Sequence, residues 1–105
     1  MTGAELRSLL VAKWGYSYDV QLRQTGNKIY LQVMWRYLEQ ASFPLSEAEY
    51  LAHLDRVATY LRDWQVTDQV VTAINASRTR PRLGKAVAIP LQLPQGRAVE
   101  WLMNS

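Results

Sequence analysis

A two-residue turn constrains this chain more than any other stretch. Gly26-Asn27 separates two runs of alternating apolar and polar residues, Tyr18 to Thr25 and Lys28 to Trp35. That pattern signals a β-hairpin, and glycine in the first turn position points to type II′. Closing the turn pairs Thr25 with Lys28 and fixes the register behind it. Leu22 then faces Leu31, Val20 faces Val33 and Tyr18 faces Trp35, all on one side of the ribbon. The other side carries Arg23 opposite Tyr30, Gln21 opposite Gln32 and Asp19 opposite Met34. A slip of one residue would mix apolar and polar side chains on both faces, so the register is strongly specified. One face must be covered by other segments.

Two capping boxes supply the cover. In Thr2-Gly3-Ala4-Glu5 the threonine oxygen accepts a free N–H while Glu5 reaches back to the cap residue. Leu6, Leu9, Leu10 and Trp14 follow at helical spacing, and Gly15 suits a left-handed C-terminal position, so the reading is a helix over 3–14. Ser46-Glu47-Ala48-Glu49 repeats the box, with Leu45 stapled to Tyr50. Leu51, Leu54, Val57, Ala58, Leu61 and Trp64 then form one stripe of a helix over 47–64. Thr67 is expected to cap a shorter helix ending near Ala76, with Val70, Val71 and Ile74 inward. After a loop over 77–85, Val87, Ile89, Leu91 and Leu93 alternate as a strand. Pro90 lacks an N–H and places that strand at a sheet edge. Residues 97–103 are left open between helix and strand, and Trp101 either anchors the tail or stays exposed.

The expectation is an α+β fold in one domain over 1–105. An antiparallel sheet built on a 16–36 hairpin plus an edge strand over 86–93 packs against two long helices and a short third helix. The length of 105 residues, 49% of them hydrophobic, suffices for one core without staples.

Composition also excludes chemistry. With no cysteine there are no disulfides, thiolate metal sites or cysteine nucleophiles, and a single histidine rules out a multi-histidine metal site. His53 has Glu49 one turn before it and Asp55 two residues on, a pair that can orient a general base. No nucleophile pattern completes a relay, so His53 is read as a boundary histidine paired with a carboxylate. Gly84-Lys85 lacks the glycine spacing and the following Ser/Thr of a phosphate loop. Trp14, Trp35 and Trp64 are read as core, and Arg23 opposite Tyr30 as an exposed cation–π pair. The expectation is no catalytic residue, no cofactor and no metal. No membrane span is expected, because the longest apolar run is Leu9 to Ala12. The opening residues show no signal peptide, so a soluble cytoplasmic protein is expected, and the sequon Asn75-Ala76-Ser77 is read as coincidence.

Three strings carry a resemblance: Gly15-Tyr16-Ser17-Tyr18-Asp19, Leu31-Gln32-Val33-Met34-Trp35, and Pro81 to Leu91, PRLGKAVAIPL. Together they resemble a small conserved cyanobacterial and chloroplast family known only as a domain of unknown function, over nearly the whole chain. The resemblance implies a stand-alone α+β domain in the cytoplasm or stroma of photosynthetic cells. It implies no activity, cofactor or catalytic residue.

Charge singles out one segment. Residues 1–77 hold seven basic and eight acidic residues, whereas 78–105 hold five basic and one acidic, so the net +3 belongs to the C-terminal quarter. Arg78, Arg80, Arg82 and Lys85 fall within eight residues around Pro81 and Gly84. Arginine forks suit carboxylate or phosphate recognition, and proline limits the entropy lost when such a loop orders. The expected partner is an acidic protein surface, met by the loop and the neighbouring sheet edge. The alternative is a small RNA- or DNA-binding domain using the same side chains, although no nucleic-acid-binding motif appears. A loop that merely keeps the chain solvated stands beside both.

Overall fold

The computed structural model describes residues 1–93 of the chain. The expectations for Trp101 and for residues 97–103 lie outside the described residues.

Local chemistry starts each helix. Thr2 Oγ1 accepts the Glu5 N–H at 3.1 Å and Glu5 Oε1 accepts the Thr2 N–H at 2.9 Å, opening α1 (Gly3–Trp14). Gly15 closes it at φ 88°. The hairpin strands are β1 (Tyr18–Thr25) and β2 (Lys28–Tyr37). Gly26 takes φ +62°, and the register runs from Thr25↔Lys28 to Val20↔Val33 as the turn dictates.

Beyond Val20 the expectation needs correction. Tyr18 opposes Tyr37, not Trp35, because the ladder is irregular between Tyr18 and Val20. At the irregularity Asp19 Oδ1 accepts the Val20 N–H at 3.0 Å. A side-chain bond made within two residues competes here with ladder geometry. Tyr37 therefore joins the edge of the core, while Trp35 is only half-buried and lies outside the core cluster.

Helix α2 (Glu47–Asp63) begins with its own capping box, Ser46 with Glu49 at 3.1 and 2.9 Å. Its stripe of Tyr50, Leu54, Val57, Ala58 and Leu61 is buried, with Trp64 just past its end. Gln65, in the left-handed region at φ 59°, turns the chain into α3 (Thr67–Ala76). The expected cap at Thr67 is corrected: Thr67 is the first helical residue, and Val66 precedes it with no side-chain cap. The Thr67 hydroxyl, drawn inward, meets no partner among the described residues.

Strand β3 (Val87–Pro90) is shorter than the expected 86–93 and pairs antiparallel with β2, Leu31 opposite Ile89. The sheet order is β1-β2-β3, so Pro90 sits on an edge strand as its missing N–H requires. Val20, Leu31, Val33 and Ile89 meet Leu6, Leu10, Leu54 and Ile74 in one core.

Two contacts set how the helices lie. The Gly3 N–H donates to Asp55 Oδ1 at 2.7 Å, and a Cβ at Gly3 would stand 2.6 Å from the Asp55 backbone nitrogen. On the β1 side, Tyr50 Oη donates to the Tyr18 carbonyl at 2.7 Å, and His53 Nε2 lies 2.6 Å from the Val20 carbonyl. Helix α2 thus occupies carbonyls that an edge strand would otherwise present to water. Among the described residues no helix is long and apolar enough to cross a membrane.

Candidate functional site

The basic loop leaves α3 at Ser77, whose backbone turns extended. Ser77 Oγ donates to the Thr79 carbonyl at 2.9 Å, and Trp14 Nε1 donates to the same carbonyl at 3.1 Å. Pro81 is buried. The loop is therefore fastened to the end of α1 at its middle. Its far end is a tight turn: Arg82 N–H donates to the Lys85 carbonyl at 3.0 Å and Lys85 N–H to the Arg82 carbonyl at 2.6 Å. Gly84 supplies the positive φ of 77° that this turn needs, and Leu83 at its tip is 90% exposed.

The four basic residues separate into one and three. Arg80 Nη2 donates to the Trp14 carbonyl at 3.2 Å and lies 3.4 Å from Tyr18 Oη. A cation there satisfies an orphan carbonyl at the negative end of α1. All four are exposed, but Arg78, Arg82 and Lys85 have no side-chain partner among the described residues. Among the described residues the ion pairs are those of Arg7 with Glu39 and Glu47, so Asp63 and Asp68 do not neutralise the loop. Spacing along the chain carried no sign of this division, because Trp14 lies 66 residues from Arg80.

His53 is a boundary histidine beside a carboxylate as expected, but the carboxylate is Asp19 rather than Glu49. Glu49 is committed to its capping box, and His53 instead faces the Val20 carbonyl, with Asp19 Oδ1 at 3.6 Å. A carbonyl only accepts, so Nε2 carries the proton and donates. Burial pushes the Asp19 carboxyl up from its ordinary value, and His53 and the Val20 N–H pull against that rise. The histidine holds a strand edge to a helix. Among the described residues no three histidine, aspartate or glutamate side chains gather for a metal ion.

A polar network escaped sequence reasoning. Ser17 is fully buried; its N–H donates to Glu39 Oε1 at 2.8 Å and its hydroxyl to Glu39 Oε2 at 2.7 Å. Arg7 Nε donates to Ser17 Oγ at 3.0 Å, and its guanidinium lies 3.4 Å from Glu47. Arg7 also sits 6.0 Å over the Tyr50 ring, the cation–π contact found here in place of Arg23 with Tyr30. Beside it Tyr16 stacks on Tyr37 with centroids 4.3 Å apart. No local motif marks this network, since its members come from α1, the α1–β1 turn, the segment after β2 and the start of α2.

A family model described as Domain of unknown function (DUF3067) matches residues 4–102. The chain belongs to that family. A solved relative, the solution NMR structure of the Alr2454 protein from Nostoc sp. strain PCC 7120, is 63% identical over 97% of each chain. The two structures agree with a TM-score of 0.87. The resemblance read from residues 15–19, 31–35 and 81–91 is borne out, and so is the α+β fold. Among curated proteins no match is found. The DUF3067 description assigns no activity, so function rests on the geometry of the site.

Proposed function

We propose that this DUF3067 protein is a non-catalytic interaction factor of photosynthetic cells that engages an acidic protein through Arg78, Arg82 and Lys85. The cyanobacterial relative supports the setting. One observation carries the contact: three cations without partners among the described residues stand on a loop fastened at Thr79, Arg80 and Pro81. Unpaired, positioned guanidinium groups lose little freedom on meeting carboxylates and steer association through their field. Arg80 belongs to the scaffold in this reading.

The test is binding of the intact protein to immobilised polyglutamate and to a mixed-sequence RNA, alongside capture from a native cyanobacterial lysate with and without nuclease. The expected result is capture that survives nuclease, weakens as salt rises, and drops sharply in the R78Q/R82Q/K85Q variant. RNA displacing the captured partner at micromolar levels overturns the proposal in favour of nucleic-acid binding. A variant that captures as well as the parent overturns it altogether.

A further inference from the structure

Among the described residues the outer edge of β3 pairs with no further strand, and it follows directly on this loop. The Leu91 N–H donates to the Ile29 carbonyl at 3.0 Å, and with Leu31 opposite Ile89 this fixes which residues face β2. Alternation in an antiparallel ladder turns Val87, Ile89 and Leu91 toward β2, and Ala86, Ala88, Pro90 and Gln92 away. At Gln92 the outward groups are taken, because Gln69 Oε1 accepts its N–H at 2.9 Å and Gln69 Nε2 donates to its carbonyl at 3.0 Å. The side-chain amide of α3 there copies the rung of a neighbouring strand. Pro90 has no N–H to offer. Ala88, exposed, keeps both its N–H and its carbonyl unpartnered among the described residues.

Space accompanies the vacant rung. A groove of about 310 Å³ runs between β3 and the C-terminal half of α3, lined by Ala73, Ala76, Ala86 and Ala88 and also by Val87 and Ile89. The alanines leave a backbone room to approach at Ala88. Lys85 stands three residues before Ala88, about 10 Å along an extended chain.

Building on the acidic-partner reading, we propose that the partner contributes an extended acidic segment that adds as a fourth strand to the β3 edge at Ala88. Its carboxylates then meet Arg82 and Lys85. Backbone pairing supplies a template independent of sequence, and the flanking cations select for acidity. A second copy of this chain fits poorly, because antiparallel pairing about Ala88 sets each cationic loop beside the other copy's Leu91-Gln92-Leu93, which carries no carboxylate. The Gln69 rung and Pro90 bound the vacancy on one side, so the added strand is short.

The probe is a blocked heptapeptide of alternating Glu and Val, titrated into the intact ¹⁵N-labelled protein. The expected result is a shifted Ala88 amide with slowed hydrogen exchange. Affinity is expected to fall at least about tenfold when the three central residues of the peptide are N-methylated, the loss of two or more hydrogen bonds. Equal affinity for the methylated peptide, or shifts confined to Arg78, Arg82 and Lys85, overturns strand addition and leaves the acidic-partner reading standing. An Ala88 amide already protected in the free protein shows the edge to be covered, within the chain or by a second copy, and also overturns it. Undiminished binding by R78Q/R82Q/K85Q, with the Ala88 shift retained, overturns the charge reading alone. No binding overturns both.

Discussion

Arg80 and Glu39 show how far a charged residue's role depends on what folds beside it. Arg80 resembles Arg78 and Arg82 in sequence, yet its guanidinium reaches the Trp14 carbonyl and the Tyr18 hydroxyl. Glu39 sits in an irregular segment with nothing to mark it, yet it holds both polar groups of buried Ser17. Burial works against its ionisation, but the two Ser17 hydrogen bonds and Arg7 outweigh that and hold its carboxyl below the usual 4.5. A folded-state value below the unfolded one means the stabilisation is complete above about pH 4.5 and is lost as pH falls through the folded value. Glu39→Gln is therefore expected to melt below the parent at pH 7, with the gap narrowing below pH 4.5. Thermal melts from pH 7 to 3 check this, and a gap that stays constant would remove Glu39 from the acid response. Asp19 runs the other way, since its raised carboxyl withdraws stability as pH climbs from 3.8 through its folded value.

Among the elements, two positions connect local geometry to packing. Gly3 is the second residue of a capping box and in an isolated helix would be improved by alanine. Here a Cβ would stand 2.6 Å from the Asp55 nitrogen and 2.9 Å from the Leu54 carbonyl carbon, backbone atoms that cannot step aside. Gly3→Ala is expected to destabilise by about 1–3 kcal/mol, the cost of overpacking, as read by urea denaturation. A neutral result would mean that α1 and α2 separate easily. Gln65 makes the opposite case. Its φ of 59° and the bonds Gln65 N–H to the Arg62 carbonyl and Val66 N–H to the Leu61 carbonyl, each 3.0 Å, end α2 in a Schellman turn normally closed by glycine. Gln65→Gly should stabilise by about 0.5–1 kcal/mol, the left-handed strain relieved less the added freedom of the unfolded chain. Denaturant midpoints decide it, and a loss of stability would show that the Gln65 side chain contributes more than its backbone strain costs.

For the molecule as a whole, three cations point outward from a loop whose fourth fastens it down. This predicts a split in stability. R78Q/R82Q/K85Q should change unfolding free energy by no more than about 0.5 kcal/mol, as exposed substitutions do. Arg80→Gln should lower the melting temperature, because the Trp14 carbonyl at the end of α1 loses its cation. Calorimetry of both variants tests the division, and an Arg80→Gln protein as stable as its parent would return Arg80 to the binding surface.

Much of this fold was legible because its instructions are local. The boxes at Thr2 and Ser46, the Gly26-Asn27 turn and the alternation behind it act within a few residues, so sequence alone determined both long helices, the hairpin register as far as Val20 and Val33, and the edge position of Pro90. The basic loop was visible as composition, but not the division within it. Tertiary structure decided the rest. Tyr37 displaced Trp35 opposite Tyr18, His53 turned from Glu49 to Val20, Gly3 became the crossing point of two helices, and Arg80, though exposed, gave a guanidinium hydrogen bond to the end of α1. Apart from the ladder shift at Asp19, each depends on groups from different elements, which only packing of the whole chain brings within hydrogen-bond or van der Waals range.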